Sequence, residues 1–330
     1  MTTSMTRDAV ERLDEAFHRA ARAIFTADEV VLACHVHPDG DALGSMLAMA
    51  HALRGRGYPV IASFPEPFEI APHYREIPGR DLLTPPDRVP AEPDVMITFD
   101  CSSLSRLGEL QRPAKGAREL IVVDHHVSND AYGTINVIDP RAAATGVLVR
   151  RLIAELELAL DEPTAVCLYA ALVCDTGRFQ YESTTPEVFE LARELLAFDV
   201  PVTRLSRSLF EEHRFAYLRL VGEALSSAEL VRDKRFVWTA VTQEMLRRHG
   251  VTLDEAEGLI DLVRGVSEAE VSCVLKEEAD GRVRVSLRSL GEVDVSVVAA
   301  RHGGGGHRFA AGFTSSRPIA EIVERIQSEI

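Results

Sequence analysis

Val30-Val31-Leu32-Ala33-Cys34-His35-Val36-His37-Pro38-Asp39-Gly40-Asp41 passes without a spacer from an apolar run into a polar one. The apolar half is short and β-branched at its start, as fits a strand buried on both faces. Similar runs stand at 60–64, 95–99 and 120–123. Residues 43–56, after the first of them, carry apolar side chains at helical spacing. This alternation is the βαβ pattern of a parallel sheet with helices on both faces. The Pro-rich stretch 64–93 reads as an irregular surface connection.

Further along the chain, helical patterns stand at 145–158, 162–174, 186–197 and 201–209, two of them with Pro near the first turn. Residues 1–27 read as a charged amphipathic helix without a signal-peptide core. From about residue 226 the texture changes. Strand candidates at 229–231, 235–242, 270–276 and 282–289 mix with helices at 243–249 and 253–263, which predicts a smaller α+β domain. The expected division is a catalytic domain over 1–195, a helical linker over 196–225 and a second domain over 226–330.

The chain has 330 residues, 46% hydrophobic and 26% charged, an ordinary globular composition. Its 51 acidic and 36 basic side chains leave a net charge of -15, which opposes a large surface for tracking long nucleic acid. No apolar run approaches the ~20 residues that span a bilayer. No membrane partner is expected, and the cytoplasm is the expected address. The five cysteines are odd in number and widely spaced, so neither a disulfide framework nor a thiolate zinc site is signalled.

The residues directly after each strand are the informative ones. The first strand ends in His35, Asp39 and Asp41, the third in Asp100, the fourth in Asp124, His125 and His126. Asp175 ends an apolar helix. In an open α/β sheet the crevice lies beyond the carboxyl ends of the strands, so these groups should converge there. Carboxylates and imidazoles gathered in one crevice repel and lose solvation unless a cation sits among them. With carboxylates dominant and no thiolate, the set favours Mn²⁺ or Mg²⁺, and its size suits two ions bridged by a carboxylate, a clamp for displacement at phosphorus. Any single Asp here is adequately explained as a helix cap; the set is not.

The second domain contains Arg301-His302-Gly303-Gly304-Gly305-Gly306-His307. A glycine run allows backbone N–H groups to approach an anion, and a helix following it would add a favourable dipole. It is not a P-loop, because no Gly-Lys-Ser/Thr follows. Arg288, in a strand, reads either as a phosphate anchor or as a surface charge.

These motifs resemble those of the DHH phosphoesterases. The triplet is Asp124-His125-His126, the first motif His35-Val36-His37-Pro38-Asp39-Gly40-Asp41, the second contains Asp100 and the fourth begins at Asp175. Gly304, Gly305, Gly306 and His307, with Ala310-Ala311-Gly312, look like the signature of the DHH-associated substrate-binding domain. Length and build are most similar to the NrnA-type branch, nanoRNases that also act as pAp phosphatases. The resemblance implies His35, Asp39 and a bridging Asp100 on one ion, and Asp41, Asp100, His125 and Asp175 on the other. It also implies Asp124 orienting an imidazole, His126 facing the scissile phosphate, and Arg288 with the glycine loop holding the nucleotide, so that catalysis falls between the two lobes. Arg106 is a candidate substrate contact. Val147 stands where many relatives carry Glu.

The expected cofactors are two divalent ions, Mn²⁺ first, with Mg²⁺ or Co²⁺ as substitutes. Expected substrates are short RNA or DNA oligonucleotides and pAp, with pApA or cyclic di-AMP as the enzymatic alternative. A catalytically silent nucleotide-binding module is the non-enzymatic one. Homodimerisation is an expectation by resemblance alone. Because metal-bound imidazoles must be neutral, activity is expected to fall below their ordinary pKa of ~6.5.

Overall fold

The computed structural model describes residues 7–330, with side chains from residue 10 onward. The expected N-terminal helix is present as α1 (Arg7–Phe25); residues 1–6 lie outside the described residues. The chain divides into two compact units, one ending at Leu209 and the other running from Phe210 to Ile330.

The first unit continues with β1 (Val30–Cys34), α2 (Gly40–Gly55), β2 (Val60–Ser63), β3 (Val95–Phe99), α3 (Gln111–Gly116), β4 (Glu119–Asp124) and β5 (Ile135–Ile138). Helices α4 (Thr145–Glu155), α5 (Glu162–Asp175), α6 (Pro186–Leu195) and α7 (Val202–Phe210) follow. The five strands are parallel, in the order β2-β1-β3-β4-β5. In this doubly wound order the chain leaves β1 toward one edge and returns to the other side as β3. The switch point therefore lies between β1 and β3, where a crevice opens at the strands' carboxyl ends. His35 and Asp100 are the residues immediately beyond those ends.

The parallel sheet was legible; β5 was not, because Ile135-Asn136-Val137-Ile138 is an edge strand between polar turns. Both sides of β1 and β3 are covered. Val31, Ala33 and Met96 pack against Leu107, Leu110 and Ala114 of the segment before β4. On the opposite side α2 lies against α5, and Gly44 permits the approach, since a Cβ there would stand 2.6 Å from the Cys167 carbonyl oxygen. All five cysteines are free thiols, and only Cys174 is not buried.

The second unit contains α8 (Phe215–Ser226), β6 (Glu229–Val231), β7 (Phe236–Val241), α9 (Gln243–His249), α10 (Leu259–Val263), β8 (Val271–Glu277), β9 (Val283–Ser289), α11 (Val295–Arg301), β10 (Gly305–His307), β11 (Ala310–Ser315) and α12 (Ile319–Glu329). Its strands run in the order β10-β11-β9-β8-β7-β6, antiparallel except for β7 with β8. Alternate residues serve different faces, as strand geometry requires. Val274 joins a core with Tyr217 and Leu220 of α8 and Ile260 of α10, whereas Cys273 and Leu275 join Val298 of α11 and Ile326 of α12. Helix α8, within the segment expected as a linker, thus contributes to the core of this unit.

The expected helix after the glycine run is absent. Gly305 opens a strand hairpin instead, pairing with Gly312 while His307 pairs with Ala310. A run without side chains cannot start an amphipathic helix, but it can lie flat on a neighbouring strand.

Glu270 fixes the connection after β9. Its Oε1 accepts from Ser289 Oγ (2.9 Å) and from the backbone N–H groups of Gly291 (3.0 Å), Glu292 (2.8 Å) and Val293 (3.2 Å). Burial works against this carboxylate, yet these donors hold its pKa below the usual range. Glu270→Ala removes the shared acceptor of these part-buried donors and is expected to destabilise the second unit by about 2 kcal/mol. Urea unfolding of the variant measures this; a loss under about 1 kcal/mol, the net worth of one ordinary hydrogen bond, would show that the connection is held by other contacts.

Candidate metal centre

β1 delivers the chain into His35, which is buried. Its Nδ1 lies 2.8 Å from the Val36 carbonyl oxygen. A carbonyl only accepts, so Nδ1 carries the proton and Nε2 presents a lone pair. That Nε2 is buried without a hydrogen-bond partner. Asp100 Oδ2 and Asp39 Oδ2 stand 3.7 and 3.8 Å from it, too far to bond. Ligand atoms at about 2.1 to 2.2 Å from a common ion, at angles of about 90° to 120°, lie roughly 3.0 to 3.8 Å apart. The orphaned nitrogen and its two carboxylates therefore fit one divalent cation.

A second group faces His125. Its Nδ1 lies 3.0 Å from the Ala142 carbonyl oxygen, so here too Nε2 is the end turned toward the carboxylates. Around Nε2 stand Asp175 Oδ2 (3.0 Å), Asp100 Oδ1 (3.5 Å) and Asp41 Oδ2 (3.7 Å). Asp100 thus presents one oxygen to each imidazole. The positions on which the structure can gather ligand atoms include His35 with Asp39 and Asp100, and Asp41 with His125 and Asp175.

Each side chain is placed by local structure. Asp39 caps α2, its Oδ1 accepting from Ala42 N at 3.0 Å, so the capping reading and the ligand reading hold together at this residue. Asp41 stands in the first turn. Asp100 takes a left-handed backbone, φ 54°, while its N–H still donates to the Val123 oxygen at 3.0 Å. Such a conformation is costly for a residue with a Cβ and is concentrated at functional sites. Asp175 closes α5.

Asp124, fully buried at the end of β4, does not face either group of lone pairs. Its Oδ1 accepts from His125 N (2.9 Å) and His126 Nδ1 (2.7 Å), and its Oδ2 from Asn129 Nδ2 (2.5 Å). The imidazole it orients is that of His126. Asn129 also donates to the Cys101 carbonyl oxygen at 3.2 Å. The sequence reading missed Asn129, although an amide five residues beyond Asp124 was the available signal. It also missed Ser45, whose hydroxyl donates to Asp41 Oδ1 at 2.9 Å, and Thr145. Arg106 lies beside this centre: its carbonyl accepts from Val36 N at 3.0 Å, and its charge opposes protonation of His35.

The electrostatics favour positive charge at this centre. Burial, then Asp100 and Asp175, push the Asp41 carboxyl well above the usual range. Burial likewise raises Asp175. Burial and Arg106 disfavour a charged His35, but the carboxylates of Asp100 and Asp39 prevail and carry it up to about 9. Burial also works against charge on His125 and His126, and again the neighbouring carboxylates prevail and raise both. Protons take the place of bound positive charge.

In the second unit, Arg288 lies in β9 between Ser272 of β8 and Ala310 of β11. Small neighbours leave room around its guanidinium. Its Nε is buried without a partner, while its Nη1 donates to the Leu287 carbonyl oxygen at 3.0 Å. On the same face Lys276, fully buried, is committed to Glu257, and Arg284 pairs with Glu257 (3.0 Å) and Glu278 (3.1 Å). The glycine loop lies flat on β11, for a Cβ on Gly304 would stand 2.1 Å from the Gly312 oxygen. Gly304, Gly305, Gly306, His307 and Arg288 are therefore gathered at one end of this sheet.

A doubly wound sheet with carboxylates and imidazoles at its switch point, joined to a mixed-sheet unit with a glycine loop, defines a phosphoesterase of the divalent-metal class. The chain belongs to the DHH family: the DHH family, N-terminal domain, matches residues 29–172, and the DHHA1 domain matches residues 235–330. It is 32% identical to the bifunctional oligoribonuclease and PAP phosphatase NrnA of Thermus thermophilus, over 91% of this chain and 90% of that protein. The protein of the same name from Bacillus subtilis is 29% identical over 88% of this chain and 90% of its own length. Among solved structures, an exopolyphosphatase-related protein from Bacteroides fragilis superposes with a TM-score of 0.86 at 26% identity, covering 96% of this chain and 95% of that one. Among the described residues, no helix is long and apolar enough to cross a membrane.

Proposed function

We propose that this protein hydrolyses phosphate esters of short nucleotides, cutting oligoribonucleotides of a few units to mononucleotides and removing a phosphate from pAp, with two divalent ions. The observation that carries the reading is Asp100, which presents Oδ2 to the His35 group at 3.7 Å and Oδ1 to the His125 group at 3.5 Å. The substrate class is supported by the Thermus and Bacillus relatives, whose lengths this chain covers almost entirely.

His35, Asp39 and Asp100 would hold one ion, and Asp41, Asp100, His125 and Asp175 the other. The oxygen-rich donor set favours Mn²⁺, with Mg²⁺ or Co²⁺ as substitutes. When bound, the ions supply charge stabilisation at the phosphoryl oxygens and acidify the attacking water. The rest falls to the chain. Asp124 accepts the His126 Nδ1–H, which fixes the ring, and in its doubly protonated form the ring would give its Nε2 proton to the leaving oxygen and end neutral. Arg288 and the backbone of Gly304, Gly305 and Gly306, with His307, hold the nucleotide phosphate, and Arg106 contacts the phosphoryl group.

A side-by-side time course tests this, with pAp, pApA, cyclic di-AMP, a five-nucleotide RNA and a long single strand, plus a chelated control. Chelator-sensitive turnover of the short RNA and pAp is expected. Preference for pApA or cyclic di-AMP would move the protein to dinucleotide turnover, and no turnover of any substrate would leave a nucleotide-binding module. In the same assay Arg288→Ala removes one charged hydrogen bond to phosphate, so KM should rise about 10- to 100-fold. Metal content should not change; an unaltered KM would remove Arg288 from the substrate site.

A further inference from the structure

Thr145 is the first residue of α4 and is fully buried. Its backbone N–H donates to Asp41 Oδ2 at 2.6 Å, and its hydroxyl donates to Asp100 Oδ1 at 3.0 Å. The next residue continues the pattern, Gly146 N donating to Asp41 Oδ1 at 3.0 Å. One residue therefore bonds two carboxylates that come from different elements, the first turn of α2 and the end of β3. Neither carboxylate can be replaced by water as its partner, because the hydroxyl and both acids are out of solvent.

We propose that Thr145 is a positioning residue of the metal centre, setting the rotation of the Asp100 carboxylate so that each of its oxygens faces a different imidazole. The carboxyl group of an aspartate turns about a soft terminal torsion, broad and roughly two-fold. Nothing in the left-handed backbone of Asp100 fixes that torsion. A donor on Oδ1 does, and it leaves Oδ2 directed at the His35 Nε2. An ionised carboxylate only accepts, so the single hydroxyl proton of Thr145 points at Asp100. The β-branched side chain restricts its own rotamer and holds that proton in place. The start of α4 adds a partial positive charge between two like-charged acids, which lowers the repulsion of holding Asp41 and Asp100 close together.

This inference rests on the reading of Asp41 and Asp100 as metal ligands, and the test separates the two. Chelator-stripped wild type, Thr145→Val and Thr145→Ser are titrated with Mn²⁺ by calorimetry, and each is melted in chelator. Wild type should bind two ions. The Val variant keeps the shape and loses the proton, so one ion should bind about 10- to 100-fold more weakly, the usual effect of removing a partner of a ligand. The Ser variant should remain within about 3-fold of wild type, well under that loss. A wild type that binds fewer than two ions overturns the two-ion reading itself. Two ions in wild type, with both held equally tightly by the Val variant, overturn the role of Thr145 alone. If the Val variant melts far below wild type in chelator, the Ser variant decides: a loss of about 10-fold or more despite its hydroxyl overturns the inference, and retained affinity supports it.

Discussion

Asp100→Ala should abolish turnover, by more than about 10³-fold, while the protein remains folded. The magnitude comes from the groups the side chain touches. Loss of one preorganised donor at a developing charge already costs about 10²- to 10³-fold, and loss of a mere partner of a metal ligand about 10- to 100-fold. Asp100 is placed to serve both ions at once. Its removal takes one oxygen from each group and leaves His35 Nε2 facing Asp39 alone, at 3.8 Å. The fold should survive, because Asp100 is joined to β4 through its backbone, its N–H donating to the Val123 oxygen at 3.0 Å. Burial opposes the ionised Asp100, and the surrounding imidazoles hold its pKa well below the usual range. Asp100→Asn preserves the shape without the charge and should fail in the same way. Metal analysis separates the explanations: reduced ion content with loss of activity supports the bridging role, whereas both ions at full occupancy in an inactive Ala variant would sink it.

How readable each part of this site was in the sequence depends on where its information lies. The strands were legible because β1, β3 and β4 are buried on both faces and so are written as unbroken apolar runs. Most of the acids and histidines were legible because they closely follow those strands' ends, where topology must gather them, whereas Asp175 closes α5. The partners were not. Asn129 ties Asp124 to the Cys101 carbonyl oxygen through an amide whose partners appear only once the turn is folded, and Thr145 reaches Asp41 and Asp100 from more than forty residues away in sequence. The left-handed turn at Asp100 is equally invisible, since Asp is an ordinary residue after a strand. In the second unit the glycine run marked the position of a loop but not its conformation. The flat pairing of Gly305 with Gly312 depends on β11, whose small residues carried no strand signal.

The stability of the metal-free protein should fall as pH rises from about 6.5 to 9, while Mn²⁺-loaded protein, whose imidazoles hold ions in place of protons, should not follow it down. In the metal-free fold His35 is carried from its ordinary 6.5 up to about 9. A raised pKa means that the folded state binds a proton the unfolded chain has released. Its contribution is complete below the unfolded value and disappears as pH passes the folded one. The move from 6.5 to about 9 corresponds to about 3 kcal/mol, or a fall of roughly 6 to 12 °C in melting temperature. His125 and His126 are raised and act in the same direction, as do the Asp41 and Asp175 carboxyls. Asp39 and Asp100 are lowered, and their contribution is lost only in acid, so they do not change across this window. Bound ions replace these protons, so metal binding must release them and must tighten as pH rises. Ion and proton compete for the same imidazoles, so the pH at which acid inactivation begins should move down as Mn²⁺ is raised. Melting curves at pH 6, 7.5 and 9, with chelator and with Mn²⁺, should diverge progressively, and excess Mn²⁺ should restore activity lost at low pH. A chelated melting temperature that stays flat or climbs over this range, or a metal-induced gain that shrinks, would show that the cluster does not exchange protons for ions.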